Sequence, residues 1–137
     1  GSYQESVELY SYGCVILNRK RDTLSGVGTD RERSSLRNVA GELLGAMRAI
    51  EWACQHYYEA VTLYHDYTGI AKWASGEWTA RIEATQEYVA FVDEYRERIQ
   101  ISFEKVEAHS GNRYNDEADR LAKQAIEDYV KAHREDC

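Results

Sequence analysis

The sequence contains no proline, and no apolar run in it approaches the ~18 residues that a membrane-spanning helix requires. It shows no secretory signal pattern at its start. Its three cysteines, Cys14, Cys54 and Cys137, match no zinc-ligand spacing, and their odd number argues against a disulfide framework. We therefore expect a cytoplasmic protein without a membrane partner, in which Cys14 and Cys54 are buried thiols and Cys137 is an exposed one.

Positive charge is also scarce. The chain has 17 basic residues against 24 acidic ones, and the net charge of −7 disfavours strong binding to a nucleic-acid backbone. Residues 18–37 are the exception, because they hold six basic residues against three acidic ones. We interpret this segment either as a solvated hairpin or as an edge that follows phosphates.

The chain does contain enough apolar sequence for one domain, since 43% of its 137 residues are hydrophobic. Runs rich in β-branched and aromatic residues predict strands at 7–17, 23–29, 61–64 and 99–106. Apolar residues that recur every three or four positions predict helices at 36–58, 84–98 and 116–133, with a short helix and a loop at 67–79. Ser34 or Ser35 can cap the first helix.

The predicted order β-β-α-β-α-β-α indicates an α/β fold with helices on the faces of a mixed sheet. The helix at 36–58 is long enough to serve as a crossover between its flanking strands. We therefore expect part of the sheet to be parallel.

Four residues outside the apolar pattern could carry chemistry. Asp66 closes a predicted strand, where ligand sites of open α/β sheets gather, although many strands end in Asp as a turn former. Glu42 lies beside the apolar stripe of the first helix, and a Glu turned inward is costly unless it is paired or bound to a metal. Asp119 lies near the start of the last helix, where acids are common, and His109 lies in a loop, where most histidines are exposed. Taken singly, none of the four decides a function.

The order and local sequence of these residues are more informative. Gly1-Ser2-Tyr3 is followed by Asn-Val-Ala-Gly-Glu at 38–42, Tyr-His-Asp-Tyr at 64–67, Val-Glu-Ala-His-Ser-Gly at 106–111 and Asn-Asp-Glu-Ala-Asp-Arg-Leu-Ala at 115–122. This series resembles the type 1 ribonuclease H family over nearly the whole chain. Its most specific part runs from His109 to Ala122.

The resemblance implies a ribonuclease H-like α/β fold, with a mixed five-stranded sheet flanked by helices, in one catalytic domain spanning 1–137. It also implies an endonuclease that hydrolyses the RNA strand of RNA–DNA hybrids with two Mg²⁺ ions, or with Mn²⁺ in their place. Such ions take oxygen ligands and can activate a water while they stabilise the leaving oxygen. Contacts to 2′-hydroxyls would distinguish the RNA strand from the DNA strand.

The resemblance further implies particular roles for residues of this chain. Three of the four metal-binding carboxylates of the family correspond to Glu42, Asp66 and Asp119. A loop histidine that assists proton transfer or product release corresponds to His109. Positions near the RNA 2′-hydroxyls correspond to Asn38 and to the backbone of Ser2.

Two features depart from the family pattern. In the family, an Asp at the end of the first, central strand precedes the position of Gly1, and neither that Asp nor that strand is among these residues, so the domain is N-terminally incomplete as it stands. The strand then belongs to a longer chain, comes from a separate segment or another chain, or is truly lost. The stretch between Asp66 and Tyr95 lacks the basic protrusion of some members. With the net charge of −7, we expect weak hybrid binding, and the resemblance to family members without the protrusion implies a separate N-terminal hybrid-binding module in the full-length protein.

Two alternatives remain open. One is a catalytically incomplete module on the same fold that binds nucleic acid or protein, suggested by the missing Asp and the acidic composition. The other is a retroelement nuclease domain rather than a cellular enzyme. The aromatic residues Tyr67, Trp73 and Trp78 have two interpretations as well, since they can stack on the DNA strand or pack the short helix against the sheet.

Overall fold

The computed structural model describes residues 2–4, 9–17, 21–28, 38–107 and 113–134. The five strands and four helices in these ranges are β1 (Ser2–Gln4), β2 (Leu9–Leu17), β3 (Arg21–Gly28), α1 (Asn38–Gln55), β4 (Ala60–His65), α2 (Gly69–Ser75), α3 (Glu83–Tyr95), β5 (Gln100–Lys105) and α4 (Arg113–Arg134). None of these four helices combines the length and the apolar character that crossing a membrane requires.

The predicted elements are confirmed in type, and their ends shift by a few residues. The helix predicted to reach 58 ends at Gln55, where Tyr57 takes a positive φ of 63° and turns the chain towards β4. The last helix begins at Arg113, three residues before the predicted start. The proposed caps Ser34 and Ser35 lie outside the described residues, as does most of the basic segment 18–37.

The strands form two separate ladders in the described part of the chain. β1, β2 and β3 make an antiparallel sheet in that order, and β4 pairs with β5 in parallel. The mixed α/β fold is therefore confirmed, and so is the prediction that part of the sheet is parallel. α1 joins β3 to β4, which lie in different ladders, and the parallel pair is joined through α2 and α3. Both connections are long enough for a crossover. Their lengths therefore do not indicate which strands pair.

Helices α1 and α4 pack on opposite faces of β2, because successive side chains of a strand point to opposite faces. On one face, the Ser11 hydroxyl donates to the carbonyl of Ala122 in α4. On the other face, the Cys14 thiol lies 3.4 Å from the carbonyl oxygen of Gly45 in α1. Cys14 and Cys54 are both half-buried rather than fully buried as predicted, and Cys137 lies outside the described residues.

The main core lies between α1, α2, α3 and the β4–β5 ladder. It is built from buried apolar side chains of all these elements, namely Leu43, Met47, Ile50, Ala53, Leu63, Ile70, Ala74, Tyr88, Val92 and Ile99. Tyr88 is fully buried, and its hydroxyl donates to the carbonyl of Ile70 at 2.8 Å, which joins α3 to α2. This core fixes the end of β4, and therefore the position of the residue that follows it.

Candidate active site

Three separate elements bring the predicted carboxylates into one region. Glu42 lies in the first turns of α1, Asp66 directly follows the last residue of β4, and Asp119 lies in the second turn of α4. All three side chains are half-buried. The fold thus gathers residues that are up to 77 positions apart in the sequence, from Glu42 to Asp119.

The electrostatics of Glu42 show that the three carboxylates act on one another. Burial raises the pKa of Glu42 above its ordinary value, and repulsion from Asp66 and from Asp119 adds to this effect. Like charges that share a partly desolvated region disfavour ionisation, and a bound cation would reverse that preference. The arrangement therefore favours a positively charged ligand.

Asn115 positions one of the carboxylates. Its amide nitrogen Nδ2 donates to the Oδ2 oxygen of Asp66 at 3.1 Å, which links the first turn of α4 to the end of β4. The sequence motif contains Asn115, but no role for it was predicted. A short polar side chain one helical turn before Asp119 is the signal that could have indicated this contact.

His65 precedes Asp66 and is buried, with 6% of its surface exposed. Its Nδ1 atom lies 2.8 Å from the carbonyl oxygen of Tyr67, whereas its buried Nε2 atom has no hydrogen-bond partner among the residues that the structure describes. Burial lowers the pKa of His65, the bond to Tyr67 opposes that shift, and the charge of Lys105 adds to it. His65 was not among the predicted site residues, because a histidine inside an apolar strand gives no signal of its own.

A cavity of about 670 Å³ lies between β2 and β4, next to these carboxylates. We call it the inter-sheet cavity. It is lined by β2 (13–17), one side of α1 (41–53), β4 (60–65) and the first turns of α4 (114–119). Glu42, His65, Asn115 and Asp119 line its polar end, and the remaining wall is largely apolar. The cavity separates the two ladders of the fold.

The donor set fits a hard divalent cation, because all three groups offer carboxylate oxygens. Burial, and with it repulsion from Asp66 and Asp119, raises the pKa of Glu42, and a cation at this place would oppose both effects. The chemistry of the residues therefore fits the implied ions. The described residues contain no group of three His, Cys, Asp or Glu close enough to hold a metal ion.

The other predicted site residues are placed only in part. Ser2 is in β1, where it pairs with Ser11, and Asn38 is the first residue of α1, although its side chain is not described. His109 lies outside the described residues.

The three aromatic residues after β4 form one cluster. The Trp73 and Trp78 rings meet at 5.5 Å between centroids, and Tyr67 lies 5.9 Å from the Trp73 ring. The rings of Tyr67 and Trp78 therefore pack against Trp73 of the short helix α2, while 40% of Trp78 remains exposed. No protrusion is inserted in the stretch 66–95, where Lys72 forms an ion pair with Glu77.

Comparison with known proteins identifies the family. The sequence model of the RNase H family matches residues 1–127. The ribonuclease H of Prosthecochloris aestuarii is 34% identical over 100 residues, and the match covers 62% of this chain and 65% of that protein. The chain thus spans just under two thirds of the length of this curated relative.

Two solved structures agree with this result. The holo form of a ribonuclease H domain from Desulfitobacterium hafniense is 40% identical, with 92% of this chain and 84% of that chain covered and a TM-score of 0.52. LC11-RNase H1 in complex with an RNA/DNA hybrid shares the fold at 17% identity, with 89% and 97% covered and a TM-score of 0.69. Three carboxylates on three elements, a mixed α/β fold and a family model that covers nearly the whole sequence all agree: the chain belongs to the ribonuclease H family, as a type 1 domain.

Proposed function

We propose that this chain is an endonuclease domain that hydrolyses the RNA strand of RNA–DNA hybrids with two Mg²⁺ ions. The single observation that carries the proposal is that three separate elements bring Glu42, Asp66 and Asp119 into one region, where the charges of Asp66 and Asp119 add to the rise that burial causes in the pKa of Glu42. Membership of the RNase H family supports it. So does the hybrid complex of LC11-RNase H1, a protein of the same fold.

In this proposal Glu42, Asp66 and Asp119 hold the two ions, with Mn²⁺ as a possible replacement. When bound, such ions supply an activated water and stabilise the leaving oxygen of the scissile phosphate. The three carboxylates bind in their ionised form, so the metal site needs Glu42 to lose the proton that burial favours. Asn115 orients Asp66 through its bond to Oδ2, which leaves the other oxygen of that carboxylate for a ligand.

The substrate contacts belong to the same proposal. The backbone of Ser2 and the side chain of Asn38 contact 2′-hydroxyls of the RNA strand, and His109 assists proton transfer or product release. Binding of the hybrid is weak without help, because the net charge of −7 repels phosphates. A separate N-terminal hybrid-binding module would supply the missing affinity for the hybrid. We also propose that the protein is located in the cytoplasm.

One observation favours a second candidate function. The described residues form no group of three ligands that could hold a metal as they stand. A module that binds nucleic acid or protein without cleaving it would need no such group. The same experiment separates the two candidates.

The test combines a metal-binding readout with a cleavage assay. Mn²⁺ binding is measured by electron paramagnetic resonance, the Mg²⁺-dependent rise in melting temperature is measured by calorimetry, and cleavage is measured on a labelled RNA–DNA hybrid. Asp66→Asn should abolish cleavage and reduce Mn²⁺ binding at least 10-fold, since metal ligands must be charged. Asp93→Asn is the matched control, because Asp93 is an exposed aspartate of α3 outside the site.

The possible outcomes are distinct. Metal binding and cleavage that are both lost in Asp66→Asn and retained in Asp93→Asn support the nuclease. Hybrid binding without metal binding or cleavage, unchanged in Asp66→Asn, supports the binding module and refutes the nuclease for this chain.

A further inference from the structure

Asp66 lies between two residues that are joined by a side-chain hydrogen bond. The Nδ1 atom of His65 lies 2.8 Å from the carbonyl oxygen of Tyr67. A carbonyl oxygen can only accept, so Nδ1 carries the proton and is the donor. The bond passes over Asp66 and ties the residue before it to the residue after it. It therefore restricts the backbone dihedral angles of Asp66 itself.

His65 is held in place by β5. Its carbonyl oxygen accepts from the amide of Val106 at 2.8 Å, so the hydrogen bonding between β4 and the chain after β5 reaches the last residue of β4. Its buried ring meets the Phe103 ring of β5 edge to face, with 6.1 Å between the centroids and 76° between the planes. Rings packed in this way prefer a defined mutual orientation. The imidazole of His65 is therefore a fixed donor rather than a mobile one.

Tyr67 is held on the other side of Asp66 by α2. The amide of Ile70 donates to the same carbonyl oxygen of Tyr67, at 3.3 Å. The Tyr67 ring lies 5.9 Å from that of Trp73, which is also in α2. The bond from His65 therefore connects the end of β4 to the first turn of α2, with Asp66 in the bend between them.

The direction of the Asp66 carboxylate depends on this backbone. Asn115 Nδ2, from α4, reaches the Oδ2 oxygen of Asp66 at 3.1 Å. The rotamers open to a side chain depend on the dihedral angles of its own backbone, so a rotation there would carry the carboxylate away from Asn115. It would also change the distance of this carboxylate from Glu42, whose pKa it raises. A displacement of about 1 Å in a catalytic arrangement can lower a rate about 100-fold.

Among the residues that the structure describes, the ring of His65 makes one hydrogen bond, and it is the bond to Tyr67. We propose that His65 is a positioning residue of the candidate active site. Through its bond to the carbonyl of Tyr67, it holds Asp66 in the orientation in which Asn115 meets the carboxylate. His65 contacts neither metal nor substrate in this role. Its effect on the reaction rests on the proposed nuclease function, whereas its effect on Asp66 does not.

Asparagine and leucine provide a matched pair of substitutions for His65. The amide nitrogen of asparagine is bonded to Cγ, as Nδ1 of histidine is, so His65→Asn keeps a donor for the carbonyl of Tyr67. Leucine has the same branching and the same number of side-chain heavy atoms as asparagine, so His65→Leu removes the donor at nearly constant shape. Both variants lose the ring contact with Phe103. A role of His65 in packing alone would affect both variants alike or favour leucine, since a buried amide is costlier than a buried apolar group.

The first measurement needs neither metal nor cleavage. The Nδ2 protons of Asn115 report the bond to Asp66, and nuclear magnetic resonance gives their chemical shifts. These shifts should stay at the wild-type values in His65→Asn and move towards those of a free asparagine amide in His65→Leu. His56→Leu is the matched control and should leave them unchanged. The Nδ1 atom of His56 also lies 2.8 Å from a carbonyl oxygen, that of Trp52, but at the end of α1 that is remote from the site.

The second measurement concerns the site itself. Electron paramagnetic resonance gives the Kd for Mn²⁺, and cleavage of a labelled RNA–DNA hybrid gives kcat and KM. His65→Leu should weaken Mn²⁺ binding and lower kcat by at least ~10-fold each, because Asp66 is displaced. Its KM should stay within about threefold of wild type, because the contacts to the hybrid remain. His65→Asn should stay within about threefold of wild type in all three quantities.

Unchanged Asn115 resonances in a folded His65→Leu chain would overturn the proposal. Equal losses in His65→Asn and His65→Leu would overturn it too, because the ring rather than the bond would then be responsible. If His65→Leu does not fold, His65→Gln replaces it, since the glutamine amide lies one carbon further out and misses the carbonyl of Tyr67. A wild-type chain that neither binds Mn²⁺ nor cleaves the hybrid refutes the proposed nuclease, and the Asn115 resonances then decide the role of His65 by themselves.

Discussion

Gly13 offers a sharp test of how α4 is held against β2. A Cβ atom added to Gly13 would overlap the carbonyl oxygen of Ala118, and it would lie 2.6 Å from Leu121 Cβ and 2.7 Å from the backbone nitrogen of Ala122. These neighbours are mostly backbone of one helix, so no flexible side chain can move aside. Gly13→Ala therefore forces α4 away from the sheet, in the turns that also carry Asp119.

The expected cost follows from two opposing effects. Overpacking of this kind costs about 1–3 kcal/mol, and a displacement of α4 would also strain the hydrogen bond from the Ser11 hydroxyl to Ala122. The lower backbone entropy of the unfolded alanine variant offsets about 0.4–1 kcal/mol of this cost. We expect a net loss of about 2 kcal/mol in the free energy of unfolding, which corresponds to roughly 6–8 °C in melting temperature.

The assay is urea unfolding followed by tryptophan fluorescence and by far-ultraviolet circular dichroism. Gly45→Ala is the matched control, because Gly45 faces the opposite side of β2 and its added Cβ would lie 3.1 Å from Tyr12 Cβ. Alanine also favours the interior of α1 by about 1 kcal/mol, so this variant should stay within about 1 kcal/mol of wild type. A Gly13→Ala chain whose midpoint equals or exceeds that of wild type, with the same m-value, would refute the close packing of α4 on β2.

Three further predictions concern single side chains. Tyr88→Phe removes the buried hydroxyl that donates to Ile70 and should lower the free energy of unfolding by about 1 kcal/mol in urea titrations. Glu42→Gln should stabilise the metal-free chain at pH 7 and flatten its stability above about pH 4.5. The reason is that a carboxyl whose pKa is raised on folding stabilises the fold below its unfolded pKa, and this contribution is lost as the pH rises through the folded pKa. Burial raises the pKa of Cys14 to about 12, so its alkylation by iodoacetamide at pH 8 should be at least ~100-fold slower than in the urea-unfolded chain.

Each of these predictions has a control and a contrary result. Tyr64→Phe alters a tyrosine that is 69% exposed, and equal losses in Tyr64→Phe and Tyr88→Phe would contradict the role of the buried bond. A Glu42→Gln chain whose stability falls with pH as steeply as that of wild type would show that Glu42 is not the titrating group. Rapid labelling of Cys14 in the native chain, located by mass spectrometry, would contradict the raised pKa of this thiol between β2 and α1.

Local patterns determined the type of each element and the family. Strand-forming runs and apolar residues that recur every three or four positions are visible in the sequence itself. They placed β2, α1, β4, α3, β5 and α4 within a few residues of their observed bounds. The ordered motifs around Glu42, Asp66 and Asp119 pointed to ribonuclease H, and the match of the family model over 1–127 confirms the family. This information is local, so no contact between distant residues was needed to obtain it.

Contacts between distant residues were decided only by the tertiary structure. The bond from Asn115 to Asp66, the close approach of α4 to Gly13 and the raised pKa of Glu42 all join residues far apart in sequence. The pairing of the strands belongs here too, because connection lengths do not indicate which strands are neighbours, and in the described residues β4 and β5 form the parallel pair. The inter-sheet cavity is lined by residues of β2, α1, β4 and α4, which are distant in sequence, and no pattern along one strand can indicate such a space.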